Sequence, residues 1–405
     1  MTTATGWANW AGNVQAAPRA LAQPASIEEL RAAVREAARR GETVRVHGAG
    51  HSFAPLCATG GTLLDLSRLA GLEAVDPETG DATVLAGTRI HDVGEPLLAA
   101  GRGLLNQGDI DVQAIAGAVA TGTHGTGRKF GSFSGAVRAV EVMTAEGDLV
   151  RIGAGDPARL RAAALSLGML GVVTRLVLAT APAYKLRRRT WPTPFAEGLA
   201  GFMAEEAACR NAEFWWLPAL DTSVMKTFVD TDDPIHREDV PEALPGTLER
   251  YLKPETVDWS FRSYPSLRTH RFVELEYTLP LAEGPAALSE LREMMRRDHP
   301  DCHWAVEYRT MPGEELPLSP TQGAESVTIS VHQAAHLPWE AFFRDAEAIF
   351  LARRGRPHWG KLHFLDAAAI AARYPELPAF RALRAELDPG GVFLNDHLQG
   401  LGFGG

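Results

Sequence analysis

The chain has 405 residues, 45% hydrophobic and 22% charged, with a net charge of −10. This is the mixture of a soluble globular protein long enough for two or three domains. The acidic balance argues against nucleic acid, whose phosphates call for a basic surface, and no stretch reaches the roughly 18 apolar residues of a membrane span. Cys57, Cys209 and Cys302 stand too far apart for a metal knuckle or a disulfide framework. The start "MTTATGWANWAGN" has no secretory pattern. The expected location is therefore cytoplasmic, with peripheral membrane association left open.

In chain order, residues 26–40 ("SIEELRAAVREAARR") read as a helix. Ser26 and Glu29 fit a capping box, an apolar stripe follows, and Gly41 is the expected stop. "TVRVHG" reads as a strand running into a small-residue turn. "GTLLDLSRLAGLEAVD" and "DATVLAGTRI" read as short strands, and "TRIHDVGEPLLAAGRG" as a helix. Residues 108–135 hold seven glycines among small residues and threonine. "AVRAVEVMTAEGDLVRI" reads as a hairpin turning at Glu146-Gly147-Asp148. "DPARLRAAALSLGMLGVVTRLVLAT" reads as helix, glycine turn and strand.

The character changes near residue 181, at the Pro-interrupted "APAYKLRRRTWPTP". Six of the nine tryptophans, Trp191, Trp215, Trp216, Trp259, Trp304 and Trp339, lie between there and residue 360, and a seventh, Trp359, stands at the edge. That concentration suggests a second domain with an aromatic core or pocket. Its strand candidates are "AEFWWLP", "RFVELEYTL", "HWAVEYRT" and "SVTISVH", with a helix over 286–297. A last helix, "LPAFRALRAELDP", precedes Gly390-Gly391 and "VFLND".

Three glycine turns, 48–53, 121–127 and 167–174, present backbone N–H groups of the kind that cradle phosphates. They match neither GxGxxG nor GxxxxGK[ST]. Singly each is a tight turn; together they suggest a dinucleotide-sized ligand. His51 is either a histidine satisfied by its own turn or an imidazole set against that ligand, nucleophilic enough when neutral to be a covalent tether. His47 reads as structural. Glu307 and Arg309 share one face of a strand. They are either a solvated ion pair or a polar pair lining a pocket for a hydroxylated substrate. Lys361 lies beside Trp359 in "RPHWGKLH", as a surface basic patch or an oxygen-binding lysine. His332 and His336 are four apart, but on a strand, so no metal site is expected.

With these segments in view, the chain resembles the sugar oxidases of the vanillyl-alcohol-oxidase flavoprotein superfamily, and within it the aldonolactone and alditol oxidases. The resemblance rests on "NWAGN" (9–13), "HGAGHSF" (47–53), "LLNQGDIDVQAIAGAVATGTHGTG" (104–127), "LGMLGVVT" (167–174), "VEYRT" (306–310), "RPHWGK" (356–361) and "GGVFLND" (390–396). It is weakest over 181–300.

The resemblance implies an α+β fold. A two-subdomain FAD-binding domain of PCMH type spans 1–180, a substrate cap 181–361, and a tail 362–405 returns to the FAD domain. It implies FAD bonded covalently through His51, with Gly48, Ala49, Gly50, Ser52 and Phe53 on the pyrophosphate side. Ala118, Thr121, Gly122, Thr123, His124, Gly125 and Gly127 would form a second contact segment, and Val172 and Val173 would hold the adenine end. Glu307, Arg309 and Lys361 fall on substrate-site positions, with His332 nearby.

No cysteine lies near 108–118, so a second flavin tether is not expected. Ala118 stands where alditol oxidases carry serine, which tilts the reading towards lactones. The expected reaction passes a hydride from a carbinol of an aldonolactone to flavin and then to O₂, giving H₂O₂. Alditol oxidation, or a dehydrogenase with another acceptor, is the alternative.

Overall fold

A computed structural model describes every residue except 1, 4, 5, 239, 267 and 405. The N-terminal part carries two sheets. In the first, Ala20–Ala22, Thr62–Asp65 and Val44–His47 run parallel. In the second, five antiparallel strands are ordered Leu149–Gly153, Val137–Met143, Val172–Leu178, Ala82–Leu85 and Leu72–Val75. The helix Ile27–Arg39 starts where its cap places it: Ser26 Oγ accepts from the Glu29 N–H at 3.1 Å. The Glu29 carboxylate reaches back to the Ala25 N–H at 2.8 Å. Leu30, Val34 and Ala37 of its apolar stripe pack with Val44, Leu64, Met143 and Val172, closing the core between the sheets.

The second part is one antiparallel sheet of eight strands. Their order is Thr256–Trp259, Lys185–Pro194, Thr222–Thr231, Asn211–Leu217, Val306–Met311, Ser326–Ala334, Phe272–Pro280 and Arg356–Pro357. Side chains alternate between faces along each strand. One face collects Phe214, Trp216, Val306, Tyr308, Val327, Ile329, Val331, Val273, Leu275 and Tyr277, packed with Leu288, Leu291, Phe342 and Phe343 from the helices Gly284–Asp298 and Glu340–Leu351.

The opposite face turns towards the first part and is polar. The register sets Glu307 across from Ser330, Glu276 across from Ser330, and Glu274 across from His332. Both faces are buried, so no residue of the central strands from Val306 to Met311 and from Ser326 to Ala334 is exposed.

The tail returns to the first part. Val44 N–H donates to the Val392 carbonyl at 2.8 Å, and the Asn395 amide donates to the carbonyls of Pro55 and Ala58 at 2.9 Å each. Among the described residues no helix is long and apolar enough to cross a membrane.

Candidate active site

A cavity enclosing about 1140 Å³ runs between the two sheets of the first part. The turn after the Val44–His47 strand forms one wall. It is shaped from outside by the "NWAGN" segment: the Asn9 amide donates to the Ser52 carbonyl at 3.0 Å and Asn13 to the Phe53 carbonyl at 2.9 Å. Trp10 N–H donates to the Gly50 carbonyl at 2.8 Å. Gly50 sits at φ +70, and a Cβ there would come within 3.3 Å of the Trp10 nitrogen, so glycine answers both a left-handed turn and a close approach. Gly117, in the helix Ile115–Thr121 on the other side, has nothing within 4 Å of where a Cβ would be. Bare backbone therefore faces the cavity.

His51 enters this cavity with its ring stacked on Trp10, 4.9 Å between centroids. Its Nδ1 lies 3.2 Å from the Ala49 carbonyl. A carbonyl only accepts, so Nδ1 carries the hydrogen and Nε2 keeps its lone pair. Burial pulls the pKa of His51 down to about 4, and the positive charge of Lys361 adds to the effect. The imidazole is neutral at physiological pH.

These features fit a flavin dinucleotide. The cavity combines glycine backbone on two sides, Arg89 in its lining, the Nε2 of His47 buried without a partner among the described residues, and an unprotonated imidazole nitrogen at one end. Cys57 also lines it, its thiol pushed up by burial.

At the His51 end the cavity meets a second pocket, which shares His51, Ser52, Gln113 and Thr121 with it. The far wall is the polar sheet face. Glu276, 1% exposed, accepts from His124 Nε2 at 2.7 Å, Arg309 Nη2 at 2.6 Å and Ser330 Oγ at 2.7 Å. Burial alone would raise its pKa, but His124 and Arg309 outweigh burial and hold it well below the carboxylate range.

Glu274 bonds the Lys361 ammonium and lies 3.6 Å from His332 Nε2, whose other ring nitrogen donates to the Ala305 carbonyl at 2.9 Å. Lys361 and His332 keep Glu274 ionised against its burial. Lys361 lies 5.2 Å from the centroid of the Phe53 ring. Its segment is pinned along the Phe272–Pro280 strand, His358 N–H to the Glu276 carbonyl at 3.0 Å and Leu362 N–H to the Glu274 carbonyl at 2.9 Å.

Glu307 differs from the other two glutamates. Among the described residues its only ion pair is with Arg309 at 3.3 Å, Arg309 is shared with Glu276, and the Glu307 Oε1 is buried without a partner. Burial, reinforced by the negative charges of Glu213, Glu274 and Glu276, pushes its pKa up to about 8 against the pull of Arg309.

All four residues expected at the substrate site, Glu307, Arg309, Lys361 and His332, line this one pocket with His51. Of the residues expected around the cofactor, Gly48, Ala49, Gly50, His51, Ser52, Thr121 and Val173 line the long cavity. Thr123 and His124 line the second pocket instead. The remaining six stand outside both linings. Phe53, Ala118 and Val172 are core residues at 2%, 0% and 0% exposure. Gly122, at φ +74, ends the Ile115–Thr121 helix. A Cβ on Gly125 would collide with the Gln107 carbonyl at 2.1 Å, and Gly127 sits at φ +108 against the Arg210 carbonyl. These three glycines serve chain packing. Val173 faces the cavity and Val172 cannot, because neighbours on a strand point to opposite faces.

Sequence reasoning does not single out Glu274 and Glu276, and it places His124 at the cofactor rather than in this pocket. The signal was present in "FVELEY" and "VTISVH", where polar and apolar residues alternate in strands whose polar members would have to be buried.

The D-arabinono-1,4-lactone oxidase family matches residues 242–401, and an FAD-binding domain family matches residues 18–153. L-Gulono-1,4-lactone dehydrogenase of Mycobacterium tuberculosis is 33% identical over 97% of this chain and 98% of its own length. Alditol oxidase of a Streptomyces species is 32% identical over 97% and 98%, and L-gulonolactone oxidase of Bos taurus 26% over 96% and 97%. Among solved structures, cholesterol oxidase from B. sterolicum superposes with a TM-score of 0.84 at 17% identity, over 98% of this chain and 96% of that one. Glucooligosaccharide oxidase from Acremonium strictum, described with a 6-S-cysteinyl, 8α-N1-histidyl FAD, gives 0.76 at 16%, over 96% and 93%. At those identities the two structures show the fold alone.

Proposed function

The chain belongs to the FAD-linked aldonolactone and alditol oxidoreductase family, and from that premise we propose that it oxidises a ring carbinol of an aldonolactone of the L-gulono- or D-arabinono-1,4-lactone type. It is an FAD-dependent oxidoreductase acting on CH–OH groups. The observation that carries the substrate reading is the convergence of Glu307, Arg309, Lys361 and His332 on one pocket with His51, at the end of a glycine-walled cavity.

Bound FAD would accept the hydride from the carbinol carbon and pass the electrons to O₂, giving H₂O₂. The protein's task is the proton and the oxygen. Glu307 Oε1, without a hydrogen-bond partner and with a pKa near 8, takes the hydroxyl proton; a base is most effective when its pKa lies near the working pH. Arg309 and Lys361 direct positive charge at the same oxygen as it becomes a carbonyl. Glu276 and Glu274 hold those two cations in place, and His332 orients a further hydroxyl.

Residues 1–180 hold the cofactor, 181–361 form the cap and 362–405 brace the cofactor side. His51 anchors the flavin through Nε2, the nitrogen left free by the bond from Nδ1 to Ala49.

The test is anaerobic mixing of the flavin-loaded protein with L-gulono-1,4-lactone, xylitol and sorbitol, followed by air. Bleaching of the flavin by the lactone, then H₂O₂ release, is the expected result. Bleaching by the alditols alone would move the assignment to alditol oxidation, a reading supported by the alditol oxidase relative at 32% identity. Bleaching with no H₂O₂, relieved by a dye acceptor, would make it a dehydrogenase. Retention of full colour with every compound would sink the reading.

A further inference from the structure

The polar sheet face does not end at the inner pocket. The register carries it across Trp215, opposite Glu307, to Glu213, which faces Lys226, then to Thr190 opposite Lys226 and Arg188 opposite Phe228. Above this outer stretch lies an open vestibule, with about 1490 Å³ of empty space including its mouth, against about 650 Å³ on the same measure for the inner pocket. The two chambers share Asp109, Trp215, Arg268, Phe272 and His332. Their common floor is aromatic: His332 lies stacked on Trp215 with ring centroids 6.2 Å apart, and Trp215 meets Tyr251 at 4.9 Å.

The lining of the vestibule is cationic in a specific way. Lys226 is neutralised by Glu213 at 3.0 Å, Arg268 by Asp109 and Arg250 by Glu242. Arg188 and Lys253 have no carboxylate partner among the described residues. Arg188 makes one long bond, to the Pro254 carbonyl at 3.4 Å, and its Nε is buried with no partner. Lys253 is tied down through its backbone, to Thr190 at 2.8 Å in both directions, which leaves its ammonium uncommitted.

Burial lowers the Lys253 pKa, and repulsion from Arg250 and Arg188 lowers it further, against the pull of Glu242. Glu238, exposed, is the lining carboxylate left without a described partner. Uncompensated cations held in a half-buried chamber are costly unless something negative joins them.

We propose that the vestibule is an anion subsite, and that the preferred substrate carries a phosphate or carboxylate at the end of its carbon chain remote from the oxidised carbinol. This rests on the inner pocket being the carbinol-oxidising site. The spacing suits it. Three strand intervals separate the Glu307 strand from the Arg188 strand, ~14 Å at about 4.8 Å each. An arginine side chain reaches back over part of that span, and a six-carbon chain with a terminal anion covers the rest. The anion would lie between Arg188 and Lys253, with the carbon chain along Trp215.

The experiment compares kcat/KM on the flavin-loaded enzyme for matched pairs. Sorbitol is set against sorbitol 6-phosphate, and L-gulono-1,4-lactone against the analogue whose terminal CH₂OH is a carboxylate. At least one anionic member should exceed its neutral partner by about tenfold or more at low salt, with the advantage shrinking as ionic strength rises. The arm that shows it identifies phosphate or carboxylate. The double variant Arg188→Gln/Lys253→Met should collapse that ratio towards one.

If the neutral compounds reduce the flavin and neither anionic partner does better, the subsite is refuted and the carbinol site stands. If none of the four reduces the flavin, the carbinol site fails and the subsite falls with it.

Discussion

Replacing Glu307 by glutamine keeps the shape of the side chain and removes its proton chemistry. In the wild-type protein a base with pKa about 8 is ionised in roughly one molecule in ten at pH 7. The rate constant for flavin reduction should therefore climb nearly tenfold per unit from pH 6 and level off above pH 8. Glutamine cannot accept the proton, so the profile should flatten and the plateau drop by ~10²–10⁴, the usual worth of a positioned base.

The same substitution has a thermodynamic signature of opposite appearance. Glu307 rises from an ordinary 4.5 to about 8 on folding, so between those values the folded chain holds a proton that the unfolded chain has released. Stability then falls as pH rises through that window. At 1.36 kcal/mol per unit, the full loss is about 5 kcal/mol. Glu307→Gln should lose activity and gain stability at pH 8–9.

The assays are anaerobic stopped-flow absorbance of the flavin against pH, and denaturant unfolding at pH 5 and 8.5. A wild-type reduction rate flat from pH 6 to 9, or a Glu307→Gln enzyme with wild-type rates, would refute the assignment of the base.

Three further outcomes follow from the same geometry. The wild-type protein precipitated with acid should give a yellow pellet and His51→Ala a colourless one; a colourless wild-type pellet would rule out the His51 bond. Gly48→Ala sets a Cβ 2.8 Å from that of Ala114 and should lower flavin content in the purified protein, with Ala114→Gly restoring it; undiminished flavin in the single variant would contradict the close packing. Glu276→Gln removes a buried anion from three partners. It should cost ~3 kcal/mol in unfolding free energy at pH 7, the low end for a broken buried pair. Because the folded pKa of Glu276 is depressed, its stabilisation is complete above an ordinary 4.5 and is lost as pH falls below it. The acid limb of stability against pH should therefore be shallower in Glu276→Gln. Freed from Glu276, Arg309 turns to Glu307, and the kinetic pKa should move down from 8; a kinetic pKa unmoved or raised would break that link.

Sequence made the frame legible where the signals were local. The cap at Ser26, the hairpin at Glu146-Gly147-Asp148 and the strand-to-turn passage into His51 depend on neighbours in the chain, and each appears in the structure at those residues. The pairing of Glu307 with Arg309 was legible for the same reason, two residues apart on one strand. The partners of Glu276 were not. His124 lies 152 positions away and Arg309 33 positions away, and only the sheet order brings them together. The division between Val172, in the core, and Val173, in the cavity lining, is subtler. The strand was evident, but which of two adjacent valines faces the cavity depends on register, and a shift of one residue exchanges the faces.

The charges on the polar face also account for why one carboxylate, and not another, becomes the base. Four glutamates are buried on or beside this face, Glu213, Glu274, Glu276 and Glu307. Buried charges of one sign persist only when each is matched. Glu213 has Lys226, Glu274 has Lys361, and Glu276 has Arg309 with His124 at its other oxygen. Among the described residues Glu307 has no cation of its own, only a share of Arg309. Its raised pKa is thus a property of the set: the matched carboxylates stay ionised, and their negative charge, with burial, holds the fourth near neutrality. A lysine introduced beside Glu307 would pull its pKa down towards the ordinary carboxylate range and weaken the base. Among the described residues, the cations without a carboxylate partner lie further out, Arg188 on the same face and Lys253 in the loop before the Thr256–Trp259 strand. The sheet therefore presents a proton acceptor at one end and unbalanced positive charge at the other, and a substrate that is neutral where it reacts and anionic at its tail would satisfy both.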